Sequence, residues 1–401
     1  MSTEAAIVGA GPAGLIAARE LARRGFEVEV LEEHPIVGEP SHCAGLLSVE
    51  GLKRLGVDPC QDFVQQEVTG GTVYSPGGKA VRISGSRTRA YVVDRAAFDR
   101  HLADSAMRDG ARIETGRRVT GLHVAKGRVC GVEIRGSTKQ AYLVIDCEGA
   151  GGYLAKGLGF PRPSEGVLSG VNAEVSGVDL EPGMVEVWLG EYLAPALFAW
   201  VIPIGEKVAR CGLACGRGDA EERLRAFLER RFGGVGGPKM LRWPVLTGGP
   251  IERTFTDGLL LVGDVAGQTK PTTGGGVILG GLCAVEAARA AAEALEAEDF
   301  SAGFIGRYER YWRAALGKEF SSMLSVRRFL NKIPDGRMDR LFDSLKRSGL
   351  ESTLEGLADG GDMDMQSGVL IAVFKNPALL RVLAEGLGRM GLVELRALLN
   401  L

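Results

Sequence analysis

The first thirty-two residues constrain the fold more than any other part of the chain. A short apolar run at residues 5–8 is followed at once by the motif GAGPAG, which starts at Gly9, and then by a helical pattern at residues 15–24. A second apolar run at residues 28–31 ends at Glu32. Strand, glycine turn, helix, strand and terminal acid in this order predict a βαβ unit that binds a dinucleotide. The competing interpretation is a glycine-rich structural turn.

Five positions of this unit have expected roles. Gly9 and Gly11 permit a tight turn and the close approach of a pyrophosphate to the helix N-terminus, and Ala13 lies in the same turn. Gly14 lets the helix pack closely against the strand. The carboxylate of Glu32 accepts hydrogen bonds from ribose hydroxyls and repels a 2′-phosphate. These residues are therefore predicted to contact or to shape a nucleotide site.

A second glycine-rich stretch lies far along the chain, at residues 263–277. It follows an apolar run at residues 259–262 and precedes an alanine-rich helical pattern at residues 279–297. It contains Asp264 near its start, Lys270 in a Lys-Pro pair, and three consecutive glycines. Such a loop costs backbone entropy on folding, so we expect it to bring the main chain close to something flat or charged. Lys270 either adds positive charge there or is a solvated loop lysine.

Composition restricts the classes of function. The charge is nearly balanced, with 48 basic and 50 acidic residues, so neither nucleic acid nor an acidic membrane is an expected partner. The seven cysteines form no CxxC and the four histidines form no HxxxH, so we expect neither a disulfide framework nor a metal site. No run of eighteen apolar residues occurs, and the N-terminus does not resemble a signal peptide. The expected location is cytoplasmic, with peripheral membrane contact left open.

Further segments extend the nucleotide domain. A helix predicted at residues 94–107 carries Arg95 in its first turn, where it either reaches a phosphate or is a surface arginine. Short strands at residues 112–114 and from Val119 onward fit the same domain, and residues 129–145 fit an antiparallel excursion from its sheet. Arg95 and Val119 are accordingly candidates for contact with the nucleotide.

The middle and the end of the chain differ in character. Alternating strands between residues 171 and 215 predict a second β-sheet, and helical patterns follow residue 300. We therefore predict three parts. They are a nucleotide-binding domain of residues 1–67, 93–165 and 244–300, a β-sheet substrate domain of residues 68–92 and 166–243, and a C-terminal helical region of residues 301–401.

Four of these motifs, in their order along the chain, resemble the FAD-binding set of p-hydroxybenzoate-hydroxylase-type flavoproteins. They are GAGPAG, DRAAFD, DCEGAGG and GLLLVGDVAG. Within that group, GEPSHCAGLLS, FAWVIP and GDVAGQTKPTTGGGV resemble the geranylgeranyl reductase family. The resemblance covers about residues 5–300 and implies an α/β fold with a Rossmann-like FAD-binding domain, an inserted mixed or antiparallel β-sheet substrate domain and a C-terminal helical region.

The resemblance also implies an activity. Members of this family hold FAD non-covalently and reduce isoprenoid double bonds in archaeal membrane-lipid precursors or in the chlorophyll side chain. The implied reaction is hydride transfer from reduced flavin N5 to one carbon of an isolated alkene, with a proton added to the other carbon. A dry apolar cavity and close placement would promote it. The implied partners are a long apolar prenyl chain and an electron donor, either NADPH or ferredoxin.

With FAD as cofactor, the second glycine-rich stretch gains a function. Asp264 would hydrogen-bond a ribitol hydroxyl of the cofactor. The helix that begins near Gly275 would direct its positive N-terminal end at the pyrimidine edge of the flavin. Main-chain N–H groups of Gly275, Gly276 and Val277 would there stabilise the negative charge of reduced flavin.

The loop at residues 38–45 would pass near the reactive side of the flavin in this family. Cys43, Ala44 and Gly45 are therefore implied to contact the cofactor. The Cys43 thiol would position the alkene, donate a proton or pair with another cysteine, and the alternative is a small buried apolar side chain. His42 is a second candidate for the proton donor.

A family segment of the form YxWxFP lines the prenyl cavity, and here it reads FAWVIP. The resemblance thus implies that Phe198, Trp200, Ile202 and Pro203 bind the substrate, and the Phe and Ile replacements leave the lining apolar. The nearby Trp188 is interpreted as sheet core.

Three other functions are alternatives, and one of them, a quinone- or electron-transfer-type flavoprotein dehydrogenase, would need a quinone partner or an iron–sulfur cysteine cluster, and the sequence lacks such a cluster. A flavin-dependent monooxygenase or halogenase shares the fold, and FAWVIP also resembles the WxWxIP of halogenases, although the chain is short for that class. A non-catalytic flavin- or lipid-binding protein is the alternative from another class.

The C-terminal helices leave a further choice open. Helical patterns are predicted at residues 304–316, 318–330, 338–348 and 368–401. They form either a cap over the core or an apolar surface that collects prenyl lipids from a bilayer.

Overall fold

The computed structural model describes residues 3–85, 87–161, 165–234 and 236–399. The last predicted helical segment ends at residue 401, which lies outside the described residues. The strands, in chain order, are β1 (Thr3–Val8), β2 (Val28–Leu31), β3 (Leu46–Ser48), β4 (Val64–Val68), β5 (Gly70–Tyr74), β6 (Ala80–Ser84), β7 (Ala90–Val93), β8 (Arg112–Glu114), β9 (Val119–Ala125), β10 (Arg128–Ile134), β11 (Ser137–Asp146), β12 (Val167–Ser176), β13 (Met184–Trp188), β14 (Ala199–Gly205), β15 (Val208–Cys215), β16 (Met240–Leu246), β17 (Phe255–Thr256) and β18 (Leu259–Leu261). The helices are α1 (Pro12–Ala22), α2 (Val49–Arg54), α3 (Arg95–Arg108), α4 (Tyr153–Gly157), α5 (Ala220–Phe232), α6 (Val277–Ala297), α7 (Ala302–Ile305), α8 (Arg307–Leu330), α9 (Asp335–Ser348), α10 (Glu351–Gly360), α11 (Ser367–Lys375) and α12 (Pro377–Leu399).

The first sheet is the predicted nucleotide-binding sheet. Its main strand order is β17-β18-β11-β1-β2-β8, and β1 pairs in parallel with both β2 and β11. The predicted antiparallel excursion is confirmed, because β9, β10 and β11 pair antiparallel in sequence. Every residue of β2 is buried, as expected for a parallel strand covered on both faces.

Helices α1, α3 and α6 cover one face of this sheet. The alanines of α6 make close packing possible, since Ala284, Ala287 and Ala291 are fully buried. Gly281 continues this contact, because a Cβ there would lie 2.8 Å from Ile16 Cδ1 of α1. The small side chains therefore bring α6 directly onto α1, and the two helices begin at the same edge of the sheet.

The second sheet has seven strands in the order β16-β12-β15-β14-β13-β5-β6. One face packs on α5 through residues such as Val201, Leu213 and Phe227. The other face carries Trp200 and Ile202 and packs against the third sheet, whose strand order is β3-β7-β4. The predicted strands of the middle region are thus confirmed, including β5 and β6 from residues 68–92.

One predicted domain boundary crosses a structural element. The division between residues 67 and 68 falls inside β4, and β7, which was assigned to the substrate domain, pairs with β3 and β4 instead of joining the larger sheet. Pairing between strands from distant segments leaves no local pattern in the sequence. The domain boundary could therefore not be predicted from the hydrophobic pattern alone. The three-part division stays a prediction.

The C-terminal region is helical, but its breaks differ from those predicted. Residues 307–330 form one helix, so the predicted break near Gly317 is wrong. Buried Trp312, Leu316 and Phe320 continue a single apolar stripe across that glycine, and their packing outweighs the roughly 1 kcal/mol that a helical glycine costs. The predicted segment 368–401 is divided at Asn376, where Pro377 starts α12.

Within the described residues, no single helix has the length and apolar composition needed to cross a membrane. One bent pair, Ser367–Lys375 with Pro377–Gly388, meets those criteria jointly, and its two halves meet at 92°.

Candidate active site

A cleft of about 580 Å³ lies where the carboxyl ends of the parallel strands meet the second sheet. In an open parallel sheet this edge is the usual place for a ligand. The predicted site residues that line it are Gly11, Ala13, Glu32, His42, Cys43, Arg95, Asp264, Gly275, Gly276 and Val277. Two sequence stretches more than 200 residues apart therefore share one cleft.

The glycines of the N-terminal motif have separable roles. A Cβ at Gly14 would overlap the carbonyl oxygen of Gly9 and approach Ile7, so Gly14 allows α1 to pack on β1 as predicted. Gly9 has φ +94°, and a Cβ there would lie 2.6 Å from the Cys147 oxygen. Gly11 differs, because no atom lies within 4 Å of its hypothetical Cβ and the residue borders the cleft. Gly11 therefore keeps space open for a ligand.

Glu32 borders this cleft, and contacts to both of its carboxylate oxygens hold the side chain in place. Its Oε2 accepts a hydrogen bond from the Ala10 N–H at 2.8 Å. Its Oε1 accepts from the main-chain N–H of His34 at 2.9 Å and lies 2.7 Å from His34 Nδ1. A carboxylate has about four acceptor positions, so Glu32 retains capacity for a ribose hydroxyl.

The N-termini of α1 and α6 both open into the cleft without a side-chain cap. Each terminus leaves main-chain N–H groups without an intrahelical partner, and the dipoles of both helices favour negative charge in the cleft. At the start of α6, Gly275 N–H donates to Thr273 Oγ1 at 3.4 Å. Of the three N–H groups predicted to face a ligand, that of Gly275 therefore already has a long internal contact.

Asp264 lies directly beneath the start of α6. A Cβ at Gly276 would be 2.6 Å from Asp264 Oδ1, so the glycine lets the main chain pass close to this carboxylate. Among the described residues, no protein donor forms a hydrogen bond to the Asp264 side chain. Burial raises the pKa of this carboxyl, and the positive charge of Arg95 acts in the opposite direction. A partly buried carboxylate without a protein donor, at a ligand cleft, can accept a hydrogen bond from a ligand hydroxyl.

Lys270 also borders the cleft, and it is not the solvated loop lysine considered above. Its side chain is 13% exposed, and Nζ lies 2.8 Å from Asp364 Oδ1, a carboxylate with no exposed surface. Asp364 comes from the turn between α10 and α11, and Ser48 Oγ also donates to it. The acid that pairs with Lys270 was missed from the sequence because no motif marks it.

The loop carrying His42 and Cys43 is anchored by side chains of the second sheet. Asn172 Nδ2 donates to the His42 carbonyl at 3.1 Å, and Trp200 Nε1 donates to Asn172 Oδ1 at 2.9 Å. Arg210 donates to the Ala44 carbonyl at 3.1 Å. These hydrogen bonds fix the loop at the cleft, so Trp200 contributes to the site indirectly.

Cys43 is a half-buried free thiol on that loop. The Gly45 N–H donates to its sulfur at 3.3 Å, and the Arg95 guanidinium interacts with it from the first turn of α3. All seven cysteines are free in the structure, so Cys43 forms no disulfide here. Burial alone would lower the pKa of Arg95, but the facing Asp99 carboxylate and the Cys43 sulfur outweigh that effect and raise it. A permanent positive charge thus lies beside the thiol.

His42 stacks on Trp243, with ring centroids 6.1 Å apart. Burial lowers the pKa of this imidazole, and the positive charge of Arg95 lowers it further. A histidine of this kind is neutral at neutral pH, so His42 holds no spare proton there and would act through its neutral N–H.

The four predicted substrate residues lie behind the cleft. Trp200 and Ile202 are 7% and 3% exposed and belong to a packed cluster with Val68 and Val245. Phe198 packs edge-on against Trp200, and Pro203 is buried in β14. The tryptophan that borders the cleft is Trp243, 6.3 Å from Trp200 between ring centroids. The sequence signal that could have identified Trp243 is its position in the alternating strand β16.

Five predicted cofactor residues are not among those lining the cleft. Gly9 and Gly14 shape the turn from within, and Ala44 packs against the cluster that contains Trp200. A Cβ at Gly45 would lie 2.5 Å from the Val93 oxygen, so this glycine is required by close packing. Val119 lies in β9 and packs with the cluster on the far face of the first sheet.

Comparison with known proteins places these features in context. A protein-family model described as FAD binding domain matches residues 2–299. Digeranylgeranylglycerophospholipid reductase 2 of Methanothermobacter thermautotrophicus is 34% identical, over 96% of this chain and 100% of that protein. The protein of the same name from Methanopyrus kandleri is 31% identical, over 89% of this chain and 93% of that protein.

Two solved structures share the fold. A geranylgeranyl bacteriochlorophyll reductase-like protein from Thermoplasma acidophilum superposes with a TM-score of 0.84 at 24% identity, covering 99% of each chain. A halogenase in complex with FAD superposes with a TM-score of 0.69 at 14% identity, covering 99% of this chain and 95% of that one.

Proposed function

The chain belongs to the geranylgeranyl reductase family of FAD-dependent flavoproteins, and from this premise we propose that it saturates carbon–carbon double bonds in the geranylgeranyl chains of a lipid precursor. The observation that carries the proposal is a single cleft that joins two uncapped helix N-termini to apolar side chains of Leu46, Trp243 and Leu246. The first feature suits a charged cofactor, and the second suits a hydrocarbon chain beside it.

The described residues fit FAD. Gly11 leaves the space that a pyrophosphate would occupy, and Glu32 offers acceptors for a ribose. The Asp264 carboxylate could accept a hydrogen bond from a cofactor hydroxyl. When bound and reduced, FAD supplies the hydride for saturation of an alkene. The protein's own contribution is to hold the cofactor in place, to keep water from the reacting carbons with apolar side chains, and to present a proton source.

Cys43 is the candidate for supplying that proton, and His42 can take part only as a hydrogen-bond donor. The Cys43 thiol lies at the cleft beside the Arg95 charge, and the neutral His42 imidazole lies next to it. We infer that Cys43 orients the alkene or donates to it, since its loop is anchored by Asn172 and Arg210. The electrons come from NADPH or from a reduced ferredoxin.

An anaerobic reaction tests the proposed function. The enzyme is reduced chemically and mixed with a geranylgeranyl glycerophospholipid, and flavin absorbance is followed while the lipid is analysed by mass spectrometry. Reoxidation with a mass gain of two hydrogens per bond supports the proposal. If the lipid does not reoxidise the flavin, and oxygen admitted afterwards does so with a hydroxylated or halogenated product, a monooxygenase or halogenase is favoured instead. The absence of reoxidation by any candidate acceptor would favour a binding protein.

Replacement of Cys43 by serine is expected to leave bound FAD unchanged and to lower turnover. A hydroxyl preserves the size of the side chain but not the acidity of the thiol, and loss of a general acid typically costs about 10²-fold or more. FAD content and single-turnover rate are the measurements. Cys60→Ser is the matched control, because that free thiol is also half-buried and lies outside the cleft. Equal single-turnover rates in the Cys43→Ser and wild-type enzymes would remove Cys43 from the mechanism.

We propose that α11 contacts the bilayer that holds the lipid substrate. Residues 368–374 of this helix are apolar throughout, yet none of their side chains is fully buried. The helix is too short to span a membrane and suits an interfacial position. Truncation near Ala358 is a poor test, since it would also remove Asp364, the partner of Lys270.

Point variants test this contact directly. Leu370→Asn with Ile371→Asn is expected to reduce co-flotation with zwitterionic liposomes severalfold, because apolar area is removed from the interface. Val124→Asn is the control, as Val124 is 44% exposed on β9. FAD content verifies that each variant is folded. Equal flotation of the double variant and the wild type would contradict the proposed contact.

A further inference from the structure

The turn between α10 and α11 places a carboxylate next to the flavin-binding loop. Asp364 on this turn has no exposed side-chain surface and lies 2.8 Å from Lys270 Nζ, while Ser48 Oγ donates to its second oxygen. Asp362 fixes the turn by accepting the Asp364 N–H at 2.7 Å. The carboxylate is therefore buried, fully partnered and held in one position.

Lys270 is in turn tied to the start of α6. Its N–H donates to the Gly275 carbonyl at 3.0 Å, and its carbonyl accepts from Gly274 N–H at 2.7 Å. The side chain runs along the glycine turn, since a Cβ at Gly275 would lie 2.8 Å from Lys270 Cε. The ammonium group is thus fixed beside the helix N-terminus that borders the cleft.

The charges of this pair act on the cofactor in opposite directions. Reduced flavin carries negative charge, so a fixed ammonium near the ring stabilises the reduced form and raises the reduction potential. A buried carboxylate 2.8 Å from that ammonium cancels most of its field and leaves a dipole. Burial makes both effects larger than they would be in water.

We propose that Asp364 is a positioning residue that sets the reduction potential of bound FAD by neutralising Lys270. The inference rests on the FAD-binding part of the proposed function and is independent of the lipid substrate. It also makes the C-terminal region part of the flavin site, because the segment that carries Asp364 lies outside the match to the FAD-binding family model.

The test is the midpoint potential of substrate-free holoenzyme, measured by spectroelectrochemistry. Asp364→Asn leaves the ammonium uncompensated and should raise the potential, and Lys270→Gln should lower it. Each change is expected to alter the ratio of reduced to oxidised flavin at a fixed applied potential by about tenfold. For a two-electron couple this corresponds to a shift of about 30 mV in the midpoint potential. The double variant should fall between the two single variants, because it removes both charges.

Two controls separate electrostatics from general damage to the fold. Lys270→Arg keeps the charge and should keep the wild-type potential. Arg54→Gln removes the 2.5 Å ion pair between Arg54 and Asp362, which holds the same turn, without touching either charge of the proposed pair. It should leave the potential unchanged.

Shifts of Asp364→Asn and Lys270→Gln in the same direction, or no shift in either, would overturn the proposal. So would a shift in Arg54→Gln as large as that in Asp364→Asn. If Asp364→Asn does not fold, the double variant carries the test, because it differs from Lys270→Gln only in the charge of Asp364: a higher potential in the double variant than in Lys270→Gln supports the proposal, and equal potentials overturn it. Because no lipid is present, a failure here is distinct from a failure of the proposed reductase activity.

Discussion

Asp264→Ala is expected to purify largely without bound FAD. The carboxylate borders the cleft, and no protein donor among the described residues forms a hydrogen bond to it. A hydrogen bond to a charged acceptor contributes about 1.5–3 kcal/mol, so its loss weakens FAD binding by roughly 10- to 150-fold. The ratio of flavin to protein absorbance after purification gives the first measurement, and a fluorescence titration of the apoprotein gives Kd.

The stability of the apoprotein distinguishes a binding role from a structural one. Burial raises the pKa of Asp264 in the folded chain. When the pKa of an acid is higher in the folded chain than in the unfolded chain, ionisation of that acid destabilises the folded state. This destabilisation begins as the pH rises past the unfolded-state pKa and is complete above the folded-state pKa. The alanine variant without FAD should therefore unfold at the same temperature as the wild-type apoprotein at pH 7, or at a higher one. A fully flavinated variant, or a less stable apoprotein, would contradict the assignment.

The parts of the site that were predictable from the sequence are those encoded by local motifs. The fold class and FAD as cofactor are confirmed, because strand, glycine turn and helix follow one another within a few residues. Asp264 and Glu32 were locatable for the same reason, since each lies within three residues of the end of a buried strand whose carboxyl end meets the cleft.

The missed features depend on contacts between distant segments. Asp364 meets Lys270 across 94 residues, and only the packing of the C-terminal helices brings them together. Trp200 was assigned to a cavity lining from its motif, but the neighbouring strand β16 places Trp243 at the cleft instead. The face that a strand presents is set by its sheet partners, which the motif does not specify.

The largest expected difference between two similar substitutions is that between Gly14→Ala and Gly11→Ala. A methyl group at position 14 would overlap the Gly9 carbonyl oxygen, which is main chain and cannot move aside as a flexible side chain would. Overpacking of this kind costs about 1–3 kcal/mol or more, which exceeds the roughly 1 kcal/mol gained by replacing a helical glycine with alanine. The apoprotein of Gly14→Ala should therefore unfold at a clearly lower temperature, and FAD binding should be lost with the shape of the turn.

Gly11→Ala should behave in the opposite way. Gly11 has φ −76° and ψ 174°, which alanine adopts without strain, and no atom lies within 4 Å of the added methyl group. The apoprotein should keep its stability apart from the few tenths of a kcal/mol to about 1 kcal/mol that alanine costs at an N-cap. The methyl group would, however, occupy the space over the α1 N-terminus where a pyrophosphate binds, so Kd for FAD should rise at least about tenfold. Thermal unfolding of both apoproteins and FAD titration separate the two effects. A Gly11→Ala protein that binds FAD as tightly as the wild type would mean that the cofactor does not pass over this turn.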